Sequence, residues 1–348
     1  MSDAVVASFA PIAVLVLIAF LIALGVVRAA IAYAQRKRML DLPGQRRSHK
    51  VPTPRGGGIG IIVSVLVAMP VSLSYIQPAW PFHVIITLLA AVALVAWIGW
   101  WDDHSPLPAL PRFGVQMVAT ALFSAALLYQ GPSSWWWPVL VLAGAWSINL
   151  HNFMDGIDGL LAQQGIFVAC GLGMLAWLAG QNALAGASAC LAAACLGFWC
   201  YNRSPARIFM GDVGSGSIGL LLFALTAMLW RVDGMLLWPA LILSSAFVTD
   251  ATLTLLVRIL SGRRWYTAHR EHLYQWIVRK GHTHATGAAW YLGWNVLVAA
   301  PLAALAWERP KVGLVACIVT YAIAAIAWLY AKCRMIRRVR YKVRHVHT

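Results

Sequence analysis

Residues Ala7 to Val27 read A-S-F-A-P-I-A-V-L-V-L-I-A-F-L-I-A-L-G-V-V, and Arg28 closes the run. None of these side chains carries a charge or an amide. A helix of this length, rising ~1.5 Å per residue, reaches across the ~30 Å hydrocarbon core of a bilayer. The run is too long for a signal-peptide core. Arg36-Lys37-Arg38 follows it with no convincing cleavage site, so it is expected to stay as a membrane span. Comparable runs recur near 57–77, 82–100, 113–130, 136–150, 162–179, 182–201, 214–230, 236–260, 287–306 and 312–331, which predicts about eleven spans. With 61% hydrophobic and 11% charged residues over 348 positions, the chain is unlike a soluble domain. The expectation is an all-α, polytopic integral membrane protein. No repeat, low-complexity tract or linker divides residues 1–348, so one transmembrane domain is expected.

The net charge of +16 would suggest nucleic acid in a soluble protein. Here it follows topology. With the N-terminus outside and the spans alternating, only Arg231, Arg309 and Lys311 of the 27 Lys and Arg fall outside. That bias predicts a periplasmic N-terminus, a cytoplasmic C-terminus and an odd number of spans. The basic tail from Lys332 to Arg344 reads as a topology anchor that attracts anionic membrane lipid, and no nucleic-acid partner is expected. Six scattered cysteines form no C-x-x-C and no zinc-like spacing, and read as small buried apolar residues.

The scarce acids are placed unevenly. Asp102, Asp103, Asp155, Asp158 and Asp212 all sit in short gaps that this topology puts on the inner side. Charge at a bilayer edge is costly unless it is used. Asp102-Asp103 follows an apolar span, where a helix C-terminus disfavours carboxylates, so a bound cation is one way to relieve them and solvation is the other. Residues 149–160 read N-L-H-N-F-M-D-G-I-D-G-L. Each D-G alone is an ordinary turn former, but Asn149, Asn152, Asp155 and Asp158 together point to a site.

Other inner segments are basic or glycine-rich. Residues 46–58, R-R-S-H-K-V-P-T-P-R-G-G-G, offer Lys50 and Arg55 to phosphate, with N–H groups at the next helix start; a basic loop that merely turns is the competing explanation. Residues 202–216, N-R-S-P-A-R-I-F-M-G-D-V-G-S-G, place Asp212 at a Gly/Ser-rich helix start, and Phe209 either stacks on a base or packs at the interface. In W-Y-T-A-H-R-E-H-L-Y-Q from Trp265, His269 and His272 share a helix face beside Arg270, which suits phosphate better than zinc. His282 and His284 read as surface residues. Asp250 lies within a span and needs either a polar cavity or a neighbouring-helix partner.

These strings, in this order and over nearly the whole chain from Asp41 onward, resemble the polyprenyl-phosphate N-acetylhexosamine-1-phosphate transferases, the family that includes the phospho-N-acetylmuramoyl-pentapeptide transferase. The H-R-E-H-L-Y-Q string and the D-A-T at Asp250 look like the branch that starts O-antigen or related surface polysaccharides, in lipopolysaccharide and cell-wall biogenesis. A third acid often found in the family three residues after the first pair is replaced by Pro106.

The resemblance implies transfer of a sugar-1-phosphate from a UDP-HexNAc to undecaprenyl phosphate, with release of UMP, at the cytoplasmic face of a bacterial inner membrane. It also implies Mg²⁺, with Mn²⁺ as a substitute. Carried over by motif, Asp102 and Asp103 lie beside lipid phosphate and metal, and Asp212 ligates Mg²⁺ with Asp103. Asp155 and Asp158 line the sugar-nucleotide site as further catalytic candidates, with Asn149 and Asn152. Asn202 and Phe209 hold uracil, and Lys50, His269, Arg270 and His272 contact diphosphate or sugar. Which UDP-sugar is used, and whether the protein is a monomer or a homodimer, stay open. The competing class is a secondary transporter, which would place its site at the midplane and often show inverted repeats.

Overall fold

The structure is a computed structural model that describes residues 3–41, 52–129, 134–263 and 269–344. Lys50 lies outside the described residues. Among those residues the chain is helical, apart from a two-residue antiparallel pair, β1 (Leu40–Asp41) with β2 (Thr53–Pro54). The helices of the first half are α1 (Asp3–Arg36), α2 (Ile59–Tyr75), α3 (Phe82–His104), α4 (Ala109–Leu128), α5 (Trp137–Phe153), α6 (Leu160–Leu178) and α7 (Asn182–Asn202). There follow α8 (Asp212–Val232), α9 (Leu237–Leu243), α10 (Ser245–Leu260), the short α11 (Leu273–Arg279), α12 (His284–Trp294), α13 (Ala300–Glu308) and α14 (Gly313–Arg344).

Each of the eleven apolar runs falls on a helix or a pair of helices. Among the described residues, eight helical segments are long and apolar enough to cross a membrane, and α9–α10, bent by 74° at Ser244, make a ninth as a broken span. The α2 and α5 helices have 17 residues each, about 25 Å at 1.5 Å per residue, the short end of the range that crosses a bilayer. They still pack into the bundle. The α2 helix buries Ile61, Val65, Met69 and Leu73 among its neighbours, and α5 lies against α8. One span, α12 to α13, carries a π-helical turn at Asn295–Ala299.

The most enclosed helices are α7 and α8. Their small residues explain why: α7 is built largely of Ala, Gly, Ser and Cys, and such residues let helix backbones approach closely in a membrane. Around this pair, the C-terminal ends of α1, α3, α5, α7 and α10 meet the N-terminal ends of α2, α4, α6, α8 and α12 at one end of the bundle. Side-chain and backbone bonds tie these ends together: Gly58 N–H to Met210 O at 2.8 Å, Gly159 N–H to Asn202 Oδ1 at 2.9 Å and Asn152 Nδ2 to Ser215 Oγ at 3.0 Å.

Candidate active site

The Asp102–Asp103 pair looks misplaced at the end of α3, yet each carboxylate serves a different helix start. Asp103 accepts hydrogen bonds from the backbone N–H groups of Asp212 (3.1 Å) and Val213 (3.2 Å), the first residues of α8. Asp102 Oδ1 accepts from Leu107 N–H at 2.6 Å, in the turn that leads into α4. Free N–H groups and the helix dipole favour negative charge at such ends. Gly211 permits the first arrangement. Its φ is +78°, and a Cβ there would stand 2.5 Å from Asp103 Oδ2.

Arg112, from the first turn of α4, completes the cluster. Its Nη1 donates to Asp102 Oδ2 at 2.8 Å and to Asp212 Oδ2 at 2.6 Å. Arg55 donates to the Asp103 backbone carbonyl. Two of the three glycines after Arg55 do not offer their N–H groups to a ligand: Gly57 and Gly58 donate to the carbonyls of Phe209 and Met210 at 2.9 and 2.8 Å. The basic loop therefore docks onto the M-G-D turn and holds it.

A cavity of about 810 Å³ opens beside this cluster. Arg112, Asn149, Asn152, Asp212, His269 and His272 are among the polar residues that line it. Its remaining wall is largely apolar, with Ile98, Phe113, Leu142, Trp146 and Leu255. Asn149 is held by Gln116 Oε1 (2.7 Å), itself a cavity residue.

The second acidic pair divides. Asp155 is partly exposed in the α5–α6 turn. The protein crowding its carboxyl, followed by the charges of Asp212, Asp103 and Asp158, pushes its pKa up to about 8. Asp158 is buried and points away from the cavity. Its Oδ2 accepts from Ala206 N–H at 3.2 Å, and its Oδ1 lies 3.0 Å from His284 Nδ1. That nitrogen also lies 3.3 Å from the backbone nitrogen of Asp158. Burial alone would raise the Asp158 pKa, but the hydrogen bond and charge of His284, with Ala206 and Ser204, bring it below the ordinary value. His284 is therefore a partner of the site and not the surface residue expected from sequence.

Asn202 is buried and fully engaged, accepting from Gly159 N–H and donating to Ile208 O at 2.9 Å. It clamps the D-G turn to the loop that carries Phe209. Phe209 is half-buried off the cavity, and its backbone bridges Pro54 and Gly57. Arg270 accepts from Arg279 Nη1 at its backbone carbonyl, at 3.3 Å, and also lies off the cavity. His269 is half-buried; burial, then His272 and Arg258, lower its pKa to about 4, so it is neutral near pH 7. Burial likewise lowers the pKa of His272, against the pull of Asp250.

Reading the sequence by motif missed Arg112, Gln116 and His284. Arg112 stands ten residues beyond Asp102 in a stretch that reads as an ordinary basic helix start, and only the fold carries it to Asp212.

Among the described residues, no three His, Cys, Asp or Glu side chains converge as a ready metal cage. Magnesium does not need one, since it is commonly held by one or two carboxylates together with substrate phosphates and water. The donor chemistry fits such an ion. Asp212 is a carboxylate on the cavity wall with 30% of its side chain exposed, and crowded acids lie beside it. Asp103 keeps lone pairs beyond those used by α8.

The fold and this site define a multi-pass α-helical membrane protein with an acidic cleft at one end of its bundle. The model of the family described as glycosyl transferase family 4 matches residues 85–230, from α3 through α8. The decaprenyl-phosphate N-acetylglucosaminephosphotransferase of Mycobacterium leprae is 30% identical, over 80% of this chain and 79% of its own. The phospho-N-acetylmuramoyl-pentapeptide-transferase of Moorella thermoacetica is 33% identical, over 62% and 73%. A probable undecaprenyl-phosphate N-acetylglucosaminyl 1-phosphate transferase of Bacillus subtilis is 27% identical, over 70% and 71%. The chain belongs to glycosyl transferase family 4.

Proposed function

We propose that this protein is a UDP-HexNAc:polyprenyl-phosphate HexNAc-1-phosphate transferase, with undecaprenyl phosphate as acceptor. The observation that carries this reading is the Asp102–Arg112–Asp212 cluster, whose Arg112 and Asp212 line a largely apolar cavity. A lipid tail suits the apolar wall, and a phosphate suits the arginine. The relatives, all named as transferases, point the same way. The basic inner segments support a cytoplasmic site in a bacterial inner membrane.

In the proposed reaction a phosphate oxygen of the lipid attacks the sugar-bearing phosphorus of the UDP-sugar. The bond from that phosphorus to the bridging oxygen breaks, and UMP leaves. Such transfer needs in-line positioning and charge neutralisation more than covalent help from protein. Arg112 would hold the lipid phosphate, and Asp102 would orient Arg112 and could accept the phosphate's remaining proton. Asn149, Asn152, His269 and His272 would hold the diphosphate and sugar at the cavity rim. Asp212 and Asp103 would hold a magnesium ion, which when bound neutralises diphosphate oxygens and the departing UMP. UDP-GlcNAc is the broad candidate donor, with 6-deoxy UDP-HexNAc donors for an O-antigen role.

Detergent-solubilised protein, undecaprenyl phosphate, Mg²⁺ and a panel of radiolabelled UDP-HexNAc donors test the reading. Label should enter the lipid fraction with stoichiometric UMP, and Asp212→Asn should abolish it. No transfer from any donor would reject the transferase function.

A further inference from the structure

Asp250 is a buried acid that the proposed reaction does not use. It lies in α10, the second limb of the bent span, with only 2% of its surface exposed. Its partners come from four elements. Leu273 N–H donates to both oxygens at 2.9 and 3.1 Å, Tyr291 of α12 to Oδ2 at 2.6 Å, Trp328 of α14 to Oδ1 at 2.8 Å, and Thr254, one turn along α10, to Oδ1 at 3.2 Å. A carboxylate with this many donors in a bilayer protein is fixed in place, because each broken bond leaves a buried polar group unsatisfied.

What Asp250 fixes is the backbone immediately after His272. The His272 ring lies between Phe153 (centroids 6.1 Å apart, planes 24°) and Tyr274 (5.9 Å, 7°), 5.0 Å from the His269 ring. Its Nδ1 stands 3.9 Å from Asp250 Oδ1. Both histidines border the cavity while Asp250 does not. Tyr274 donates to Phe153 O at 2.9 Å, so the same segment is tied to the turn that carries Asp155. A second anchor, Arg258 to Glu271 at 2.6 Å, holds the segment from its outer side.

We propose that Asp250 is a positioning residue that acts through His272: it anchors residues 269–275 across α10, α12 and α14 and so holds the imidazole at the cavity rim. This rests on the transferase reading for its kinetic consequence but not for its structural one.

The test is a double-mutant cycle in the full-length solubilised protein, with Asp250→Asn, His272→Ala and the double variant. Asp250→Asn should lower kcat about 10- to 100-fold with less than about threefold change in the KM for the UDP-sugar. The same change on the His272→Ala background should cost less than about twofold more. Asp250→Glu should restore part of the loss. Hydrogen–deuterium exchange should show faster exchange of residues 269–275 in Asp250→Asn, with the α6–α7 core unchanged. Equal losses on both backgrounds, or unchanged exchange at 269–275, would overturn the proposal. Should Asp250→Asn not fold, Trp328→Phe removes one donor only, and the same smaller pattern is required of it. If wild-type protein transfers nothing, the transferase reading fails by itself, and the exchange measurement still decides the anchor.

Discussion

Arg112 Nη1 lies 2.6 Å from Asp212 Oδ2, a contact between residues one hundred positions apart, and the same atom reaches Asp102 at 2.8 Å. One guanidinium thus neutralises two carboxylates that a divalent cation would also attract. Arg112→Gln removes that competitor. The apparent affinity for Mn²⁺ without substrate, measured by electron paramagnetic resonance, should tighten by roughly three- to tenfold, the size of a partly exposed ion pair. Turnover should fall about 100-fold, because the phosphate loses its cation. Weaker Mn²⁺ binding would show that Arg112 helps to build the metal site instead of competing for it.

The pKa of Asp155, raised to about 8, gives the site a titration in the working range. Below that pH the carboxyl holds a proton and is neutral; above it the site gains a negative charge. Mn²⁺ affinity should therefore rise as pH increases through about 8, and Asp155→Asn should flatten the profile. His269, lowered to about 4, contributes nothing to this window. A wild-type profile that is flat from about pH 6 to 9 would remove Asp155 from the electrostatics of the site.

Gly211→Ala asks whether the Asp103 cap matters. The substitution puts a Cβ at φ +78° and 2.5 Å from Asp103 Oδ2. Strain of about 1–3 kcal/mol is expected, with a lower Tm and loss of most activity. Gly114→Ala is the matched control: its Cβ would meet nothing within 4 Å, and alanine is the better helix former. Equal Tm values for the two variants would show that the turn yields easily.

His284→Ala leaves Asp158 without its 3.0 Å partner. A destabilisation of about 1–3 kcal/mol is expected, read as a lower Tm at pH 7, because a buried carboxylate loses a charge-assisted bond. Asp158 has a lowered pKa in the folded state, so its contribution is present above the unfolded value near 3.8 and is lost as pH falls through the folded value. The gap in Tm between wild type and variant should therefore close in acid.

Much of this was legible in the sequence for simple reasons. Hydropathy alone located every apolar helix, and the gathering of Asp102, Asp103, Asp155, Asp158 and Asp212 at one end followed from alternation of the spans. The α2 helix, at 17 residues, is shorter than the apolar run that predicted it, because flanking glycines and a proline bound the helix. Partnerships were not legible. The choice between ligand and structural roles for the glycines after Arg55, for Asn202 and for Asp250 depends on which backbone groups arrive from distant segments, and no local pattern encodes that. His284 shows the same limit: a histidine in a polar gap reads as exposed until the α5–α6 turn is folded over it.

The Asp103–Val213 contact spans 110 residues, and this sets an order on synthesis. The α3 helix enters the bilayer long before α8 exists to receive its terminal carboxylate. At ~5–20 residues per second, that side chain waits roughly 5–20 s while four intervening helices are made. During that interval the Asp103 carboxylate lacks the N–H groups of α8, and α3 is held by its apolar length and by the earlier segments, α2 and Arg55. A nascent chain arrested before Asp212 should therefore carry a fully inserted helix pair, α3 and α4, with the Asp103 carboxylate still open to solvent.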